Sequence, residues 1–237
     1  MTLPRIEPAN PLNPTLIRRR SALGTIGALS VTSGMRIGGV GSLWGLLSVP
    51  RLAHAGAQQE EPLIDSVRTA LSSSVASAEP PEPVFATSEA RLHYIRWKVE
   101  MNQRLVQRKS DLRTLQERTE FLQTVWYNCK RSRLDVDVVM GLIQVESNFR
   151  KRAISSVGAR GFMQVMPFWT RVLADGDANR LFDMHTNLRF GCVIMRHYLD
   201  REQGDMFMAL GRYNGSRGKS QYPNAVLGAR KAWEFSA

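Results

Sequence analysis

The sequence has few residues of the kinds that bind metals or cross-link chains. Its 237 residues include only two cysteines, Cys129 and Cys192, and four histidines. The cysteines lack the close spacing of a zinc site, and the scattered histidines do not complete one. We therefore expect no metal and no cofactor. For the cysteines two alternatives remain, buried thiols or one disulfide.

Long apolar runs and acidic residues are also scarce. The apolar stretch over 21–49 is rich in Gly and Ser and is interrupted by Arg36, so neither half reaches the roughly 18 apolar residues of a membrane-spanning helix. The 21 acidic residues stand against 32 basic ones, which gives a net charge of +11. Such a surface attracts nucleic acid, anionic lipid or an anionic wall polymer. No zinc-finger spacing or RNA-recognition motif accompanies the charge, so we expect no nucleic-acid partner.

The first 55 residues contain the parts of an export signal in their usual order. Arg18–Arg20 precede the apolar stretch, and the small-x-small sequence Ala53-His54-Ala55 follows it. This order predicts cleavage after Ala55 and a periplasmic or cell-envelope location for a mature chain without a membrane span. The alternative is a disordered basic N-terminus on a cytosolic protein. Export would favour the disulfide.

The remaining sequence divides into a linker and one helical domain. Residues 56–87 contain Glu79-Pro80-Pro81-Glu82-Pro83 and a serine run, which predict a linker, with a short helix near Ile64–Leu71. Residues 88–237 show helical periodicity, no alternating strand pattern and no repeat. We predict a single, mainly α domain that exists as a monomer, with long loops over 150–180 and 213–225.

Five helices follow from the apolar spacing and from residues suited to capping. The first, capped by Ser88, turns four residues to the core: Leu92, Ile95, Val99 and Met101. The second runs from about Ser110 to Cys129, with five residues inward: Leu112, Leu115, Phe121, Leu122 and Val125. The third helix has Glu146 near its end and is capped by Asp135 or Asp137. The fourth runs from Thr186 or Asn187 to Tyr198, and the fifth spans Met206–Arg212.

Glu146 is the candidate catalytic residue. On a helix it shares a face with Val139, Leu142 and Ile143, and aliphatic surroundings disfavour a charged carboxylate. The pKa of Glu146 should therefore be raised, which keeps a proton available for general acid catalysis near neutral pH. The alternative is a glutamate at a helix end that reaches water or pairs with Arg150.

Three separated motifs place this glutamate in a wider pattern. They are Glu146-Ser147-x-Phe149, then Gly158-Ala159-Arg160-Gly161-Phe162-Met163-Gln164-Val165-Met166-Pro167, then Tyr213-Asn214-Gly215. Their order and spacing over about residues 134–226 resemble the soluble lytic transglycosylases that cut bacterial peptidoglycan. The resemblance implies a lysozyme-like α domain of the goose-type class. It also implies cleavage between N-acetylmuramic acid and N-acetylglucosamine without water, which leaves a 1,6-anhydro-muramyl end.

The same resemblance assigns roles to residues around Glu146, which would act first as acid and then as base. No second carboxylate stands in the motifs, although glycosidases usually need two. The implied substrate-binding residues are Ser147, Ser155, Gln164, Met166, Tyr213, Asn214 and Tyr222. Simpler roles remain open for some of them: Ser147 could only tie down the helix end, Ser155 could be a loop hydroxyl, and Asn214 could hold its own loop.

The sequence departs from the family pattern at three places. Phe162 replaces a usual leucine and Arg212 a usual alanine, where it could add charge beside the cleft. Gln221-Tyr222-Pro223 lacks a glutamate that many relatives carry shortly before a later tyrosine. Besides a lytic transglycosylase, a carbon–oxygen lyase, the sequence therefore leaves open a goose-type lysozyme hydrolase and a catalytically silent wall-binding module.

Overall fold

The computed structural model describes Thr69, residues 80–172 and residues 176–236. The predicted export signal, the short helix near 64–71 and most of the predicted linker lie outside the described residues, so these remain predictions. The described part is mainly α, as the sequence predicts. It contains isolated β-bridges, such as the one between Arg160 and Val165, but no named strand.

Six α-helices and two short 3-10 helices form the described part of the domain. The α-helices are α1 (Ser88–Val106), α2 (Leu115–Ser132), α3 (Val136–Ser147), α4 (Met184–Arg201), α5 (Met206–Asn214) and α6 (Gln221–Arg230). The 3-10 helices are Pro167–Val172 and Ala178–Phe182. None of the described helices is long and apolar enough to cross a membrane.

Helix α3, which carries Glu146, packs most extensively against α6. Gly141 makes this close approach possible, because a Cβ atom there would lie 2.7 Å from the backbone nitrogen of Arg230 and 2.9 Å from the carbonyl oxygen of Val226. Arg230 also donates from Nε to Oδ2 of Asp137 at 2.8 Å. The two helices are thus held together by steric fit near the middle of α3 and by an ion pair at its start.

Helix α6 was not predicted. The predicted loop over 213–225 is wrong from Gln221 onward, where the helix begins. Pro223 lies in its first turn, where the missing N–H costs no intrahelical hydrogen bond. Other helix starts are close to prediction, except that α2 begins at Leu115, five residues after the predicted start near Ser110. Thr87, rather than Ser88, caps α1 by accepting from the Ala90 N–H at 3.1 Å, and Asp135 stands at the N-cap of α3.

The predicted core face of α1 is wrong. Leu92, Ile95 and Val99 are 46%, 41% and 53% exposed, although Met101 is buried as predicted. The helix instead turns Tyr94, Trp97, Met101 and Leu105 inward. Both sets of residues fit a helical period, and the larger aromatic rings bury more apolar area per residue, which decides the face. On α2, Leu115 is likewise 62% exposed, whereas the other four predicted core residues are buried.

The two cysteines lie side by side on neighbouring helices. Cys129 on α2 and Cys192 on α4 are fully buried free thiols, so the disulfide alternative is not formed in this structure. Burial, and then the adjacent Cys192, raise the pKa of the Cys129 thiol well above its usual range. The pair therefore contributes to the core as two small apolar groups.

Candidate active site

Glu146 lies in the last turn of α3 and is the centre of the candidate site. Val139, Leu142 and Ile143, which share its helix face, are all fully buried. Glu146 itself is partly exposed, with its carboxylate set among buried groups. Burial raises its pKa to about 8, against the lowering effect of a hydrogen bond from Tyr222. The carboxyl group can therefore hold its proton at neutral pH, as general acid catalysis requires.

Tyr222 on α6 is the direct partner of Glu146. Its hydroxyl donates to Oε1 of Glu146, and its side chain is 3% exposed. Burial, and then the neighbouring Glu146, raise the pKa of the Tyr222 hydroxyl well above its usual range, so the tyrosine keeps its proton. The sequence analysis expected Tyr222 to line the cleft and did not foresee this bond, because it placed the residue in a loop.

Ser147 joins the end of α3 to the loop of the second motif. Its hydroxyl lies 2.7 Å from the carbonyl oxygen of Phe162 and 3.2 Å from that of Ile143. The side chain is 2% exposed. This geometry fits the simpler role of tying down the helix end, and a contact between Ser147 and substrate stays a prediction.

Gln164 supports the same loop from inside. Its backbone has a φ of 49°, in the left-handed region, and its Nε2 donates to the carbonyl oxygens of Ala153 at 3.1 Å and Gly161 at 2.9 Å. The residue is 4% exposed, so it offers little surface to a sugar in this conformation. Its predicted role as a groove-lining residue stays untested.

Asn187 on α4, predicted only as a possible helix start, holds this loop in place. Its Oδ1 accepts from the Met163 N–H at 2.8 Å, and its Nδ2 donates to the carbonyl oxygens of Arg160 and Leu181. A Cβ atom at Gly161 would lie 2.4 Å from that Nδ2. The sequence signal for this contact was the Gly-x-x-Gly spacing of the second motif, since a glycine can mark a place where another group approaches the backbone closely.

Tyr213 also supports the loop. Its hydroxyl, which was predicted to bind substrate, donates to the carbonyl oxygen of Met163 at 2.7 Å. Tyr213 is 1% exposed and Asn214 is 5% exposed. Of the two tyrosines, Tyr222 is therefore the one that contacts Glu146, and substrate contacts of Tyr213 and Asn214 remain predictions.

Ser155 and Met166 are the predicted binding residues that reach the surface, together with Glu146. The Ser155 hydroxyl oxygen accepts from the Ala159 N–H at 3.0 Å, which closes the tip of the loop. Ile154 beside it is 64% exposed. These side chains are accessible to a ligand, and their contact with substrate stays a prediction.

Arg212 does not act as a separate charge beside the site. It donates from Nε to Glu202, which also accepts from Arg217 at 2.7 Å and 3.0 Å. These bonds, with that of Arg217 first, lower the pKa of Glu202 to about 2. The cluster fixes the chain on both sides of Gly215, the αL cap of α5. Glu202 and Arg212 are ten positions apart in the sequence, with no helical spacing between them, so sequence reasoning did not find this pairing.

The electrostatics of Glu146 are those of a single carboxyl group. Burial and Tyr222 account for its pKa shift, and no second acid of the described residues contributes to it. The part of the chain that the structure describes also contains no cluster of His, Cys, Asp and Glu able to hold a metal ion. The arrangement can donate a proton from Glu146 and then accept one, with Tyr222 supporting the charged form.

Two comparisons with known proteins agree with this geometry. A family model described as "Transglycosylase SLT domain" matches residues 124–236. This segment contains every candidate site residue, from Glu146 to Tyr222. A protein of Enterobacteria phage PRD1 called "Transglycosylase" is 32% identical over 115 residues. That similarity covers 46% of this chain and 42% of the phage protein, so the chain spans less than half of this relative.

Proposed function

Through residues 124–236 the chain belongs to the transglycosylase SLT domain family, whose fold is lysozyme-like, and from this premise we propose that it is a lytic transglycosylase of peptidoglycan. Its substrate is the β-1,4 bond from N-acetylmuramic acid to N-acetylglucosamine. One observation carries the proposal: Glu146 has a pKa raised to about 8 by burial, and no second described carboxylate perturbs it. A lone acid suits a reaction in which the substrate supplies its own nucleophile.

The first step is general acid catalysis. Protonated Glu146 donates its proton to the glycosidic oxygen, and the bond from that oxygen to C1 of muramic acid breaks with its electron pair going to the oxygen. The N-acetylglucosamine end leaves as an alcohol. The oxygen of the 2-acetamido group supports the positive charge at C1.

The second step reverses the role of Glu146. The C6 hydroxyl oxygen of the same muramic acid attacks C1 and forms the 1,6-anhydro ring, while its proton passes to the Glu146 carboxylate. The enzyme regains its starting protonation state, and no water is consumed. Between the steps Tyr222 donates a hydrogen bond to the charged carboxylate, which stabilises the base form.

Product analysis tests this proposal. Muropeptides released from purified sacculi are identified by mass spectrometry, and we expect 1,6-anhydro-muramyl ends from the unaltered protein. Glu146→Gln should release none. The control Glu82→Gln changes an exposed glutamate in the segment before α1 and should act like the unaltered protein. Reducing muramyl ends that incorporate oxygen from labelled water would show a hydrolase instead. Equal release by Glu146→Gln would remove Glu146 from the chemistry.

The location of the enzyme is part of the same proposal. Arg18–Arg20, the apolar stretch and Ala53-His54-Ala55 support export to the periplasm or cell envelope, where peptidoglycan lies. Amino-terminal sequencing of the protein recovered from the cell envelope should begin at Gly56. Recovery of the uncleaved chain from the cytosol would contradict export without affecting the assignment of Glu146.

A further inference from the structure

Two chain segments far apart in sequence meet beside the end of α3. The Lys151 N–H donates to Oδ2 of Asp111 at 2.9 Å. The Asp111 N–H in turn donates to the carbonyl oxygen of Phe149 at 3.3 Å. These bonds fix residues 150–152, which follow α3, against residues 108–113, which connect α1 to α2.

The joined segments carry a concentration of positive charge, which we name the basic patch. Its members are Arg108, Lys109, Arg113, Arg150, Lys151 and Arg152. All are exposed except Arg108, whose guanidinium lies 5.3 Å from the Trp233 ring centre. Among the described residues, Lys109, Arg113 and Arg152 have no salt-bridge partner.

Two acidic residues, Asp111 and Glu117, offset part of this charge, and Glu117 also attracts Lys151, but they are too few to neutralise the six cations. The Asp111 carboxylate already accepts the Lys151 N–H. Glu117 is engaged at the start of α2, where it accepts from the backbone and hydroxyl of Thr114. The patch therefore has unpaired cations that can bind an anionic group from solution.

The basic patch lies beside the candidate active site. It begins four residues after Glu146, and Arg150 donates from Nε to the Ser147 carbonyl oxygen at 2.9 Å. The next residue after the patch, Ala153, accepts from the Gly161 N–H at 2.9 Å and from Gln164. The same short stretch of backbone therefore connects the cations to the loop around Glu146.

We propose that the basic patch binds the free carboxylates of the peptide stems on peptidoglycan, and so makes stem-bearing strands the preferred substrate. This inference rests on the function proposed above. Each stem is attached to the lactyl group of muramic acid, the sugar that reacts at Glu146, so its carboxylates extend away from the cut bond toward neighbouring protein surface. Exposed Ile154, between the patch and Ser155, offers an apolar contact to the alanine methyl groups of the stem.

The test compares two substrates that differ only in stem charge. Peptidoglycan strands are N-acetylated at their amines, and half of the sample then has its carboxylates converted to neutral amides. We expect the unaltered protein to show a kcat/KM about tenfold higher on the charged strands, equal to about 1.4 kcal/mol from several modest surface ion pairs. The difference should lie in KM, since the stem does not take part in the bond change.

Two triple variants locate the effect. The patch variant carries Lys109→Gln, Lys151→Gln and Arg152→Gln, and should lose the preference for charged strands. It leaves Arg150 and Arg108 in place because they have contacts of their own. The control variant removes three other exposed cations by Arg91→Gln, Arg96→Gln and Lys231→Gln, and should keep the preference. Both variants have the same net charge.

Several outcomes would overturn the inference. Equal kcat/KM of the unaltered protein on both substrates would do so, and so would a patch variant that retains the preference. Should the unaltered protein cut neither substrate, the proposed function fails, and co-sedimentation of Glu146→Gln protein with each substrate still measures the patch. A patch variant that loses binding to duplex DNA but sediments normally with charged strands would assign the patch to nucleic acid.

Discussion

The hydrogen bond from Tyr222 to Glu146 makes a quantitative prediction about the acid. Tyr222→Phe removes the donor and keeps the ring, so the burial of Glu146 is nearly unchanged. A hydrogen bond to a charged group contributes about 1.5–3 kcal/mol, and one pKa unit corresponds to about 1.36 kcal/mol. Because the bond stabilises the carboxylate, its loss should raise the pKa of Glu146 by about 1–2 units above its present value of about 8.

Two measurements follow the change. The pH at which Glu146 ionises can be read from the carboxyl ¹³C shift of labelled protein, and the high-pH limb of the kcat/KM profile should move upward by the same amount. At neutral pH the variant should be slower, since a carboxyl group of higher pKa is a weaker acid toward the glycosidic oxygen. Loss of activity with no upward shift of the ionisation would refute the reasoning.

Tyr213→Phe is the matched control for this experiment. It also deletes one buried hydroxyl near the site, but that hydroxyl donates to the Met163 carbonyl oxygen. We expect the ionisation of Glu146 to stay within about half a unit of the unaltered protein, because no hydrogen bond to the carboxylate is lost. The free energy of unfolding should fall by about 1 kcal/mol, the usual contribution of a hydrogen bond.

Two further predictions concern stability. Gly141→Ala should lower the thermal midpoint and reduce cleavage, because its Cβ would meet backbone of α6 at 2.7 Å and push Tyr222 from the acid. In the control Gly228→Ala the new Cβ would have no neighbouring atom within 4 Å, so the change should be neutral or stabilise the fold by up to about 1 kcal/mol. A similar loss of stability in both variants would contradict the steric account. Glu146→Gln should stabilise the fold increasingly as pH rises from about 4.5 to 8. The raised pKa means that the unaltered protein loses stability over that window, by about 2 kcal/mol near pH 7 after allowance for partial exposure. Denaturant titrations at pH 4.5 and 7.5 measure this, and a pH-independent difference would count against it.

The raised pKa of Glu146 could be predicted from sequence because its determinants are local. Glu146, its apolar helix face and its motif all lie within a few helical turns, and the structure bears out the raised pKa. Helix α6 could not be predicted, since Pro223 signals a break unless the start of the helix is already known. Its position beside Glu146 depends on the contact of Gly141 with Arg230, 89 residues away, and on the bond of Arg230 to Asp137, 93 residues away. No regular sequence spacing indicates such pairs.

The loop of the second motif shows a different limit of prediction from sequence. Gln164 and Tyr213 are predicted to bind substrate, which stays a prediction, and in the structure both also hold backbone carbonyls. Buried polar residues of this kind and residues that line a groove are the same residue types, and only tertiary contacts separate them. The role of Asn187 was missed for the same reason, since its three backbone partners lie 6 to 27 residues away in sequence.

Helix α1 has a practical consequence for work with this protein. Its aromatic face holds it to the domain, while Leu92, Ile95 and Val99 point to solvent beside a groove of about 660 Å³ that Phe235 also lines. Solubility at high concentration should therefore depend on this helix more than on the rest of the described surface. Since these three side chains stand outside the core, lysine or glutamate can replace them at little cost in folding free energy. Solubilising substitutions or a spectroscopic label on helix α1 should therefore leave Glu146 and the loop of the second motif undisturbed.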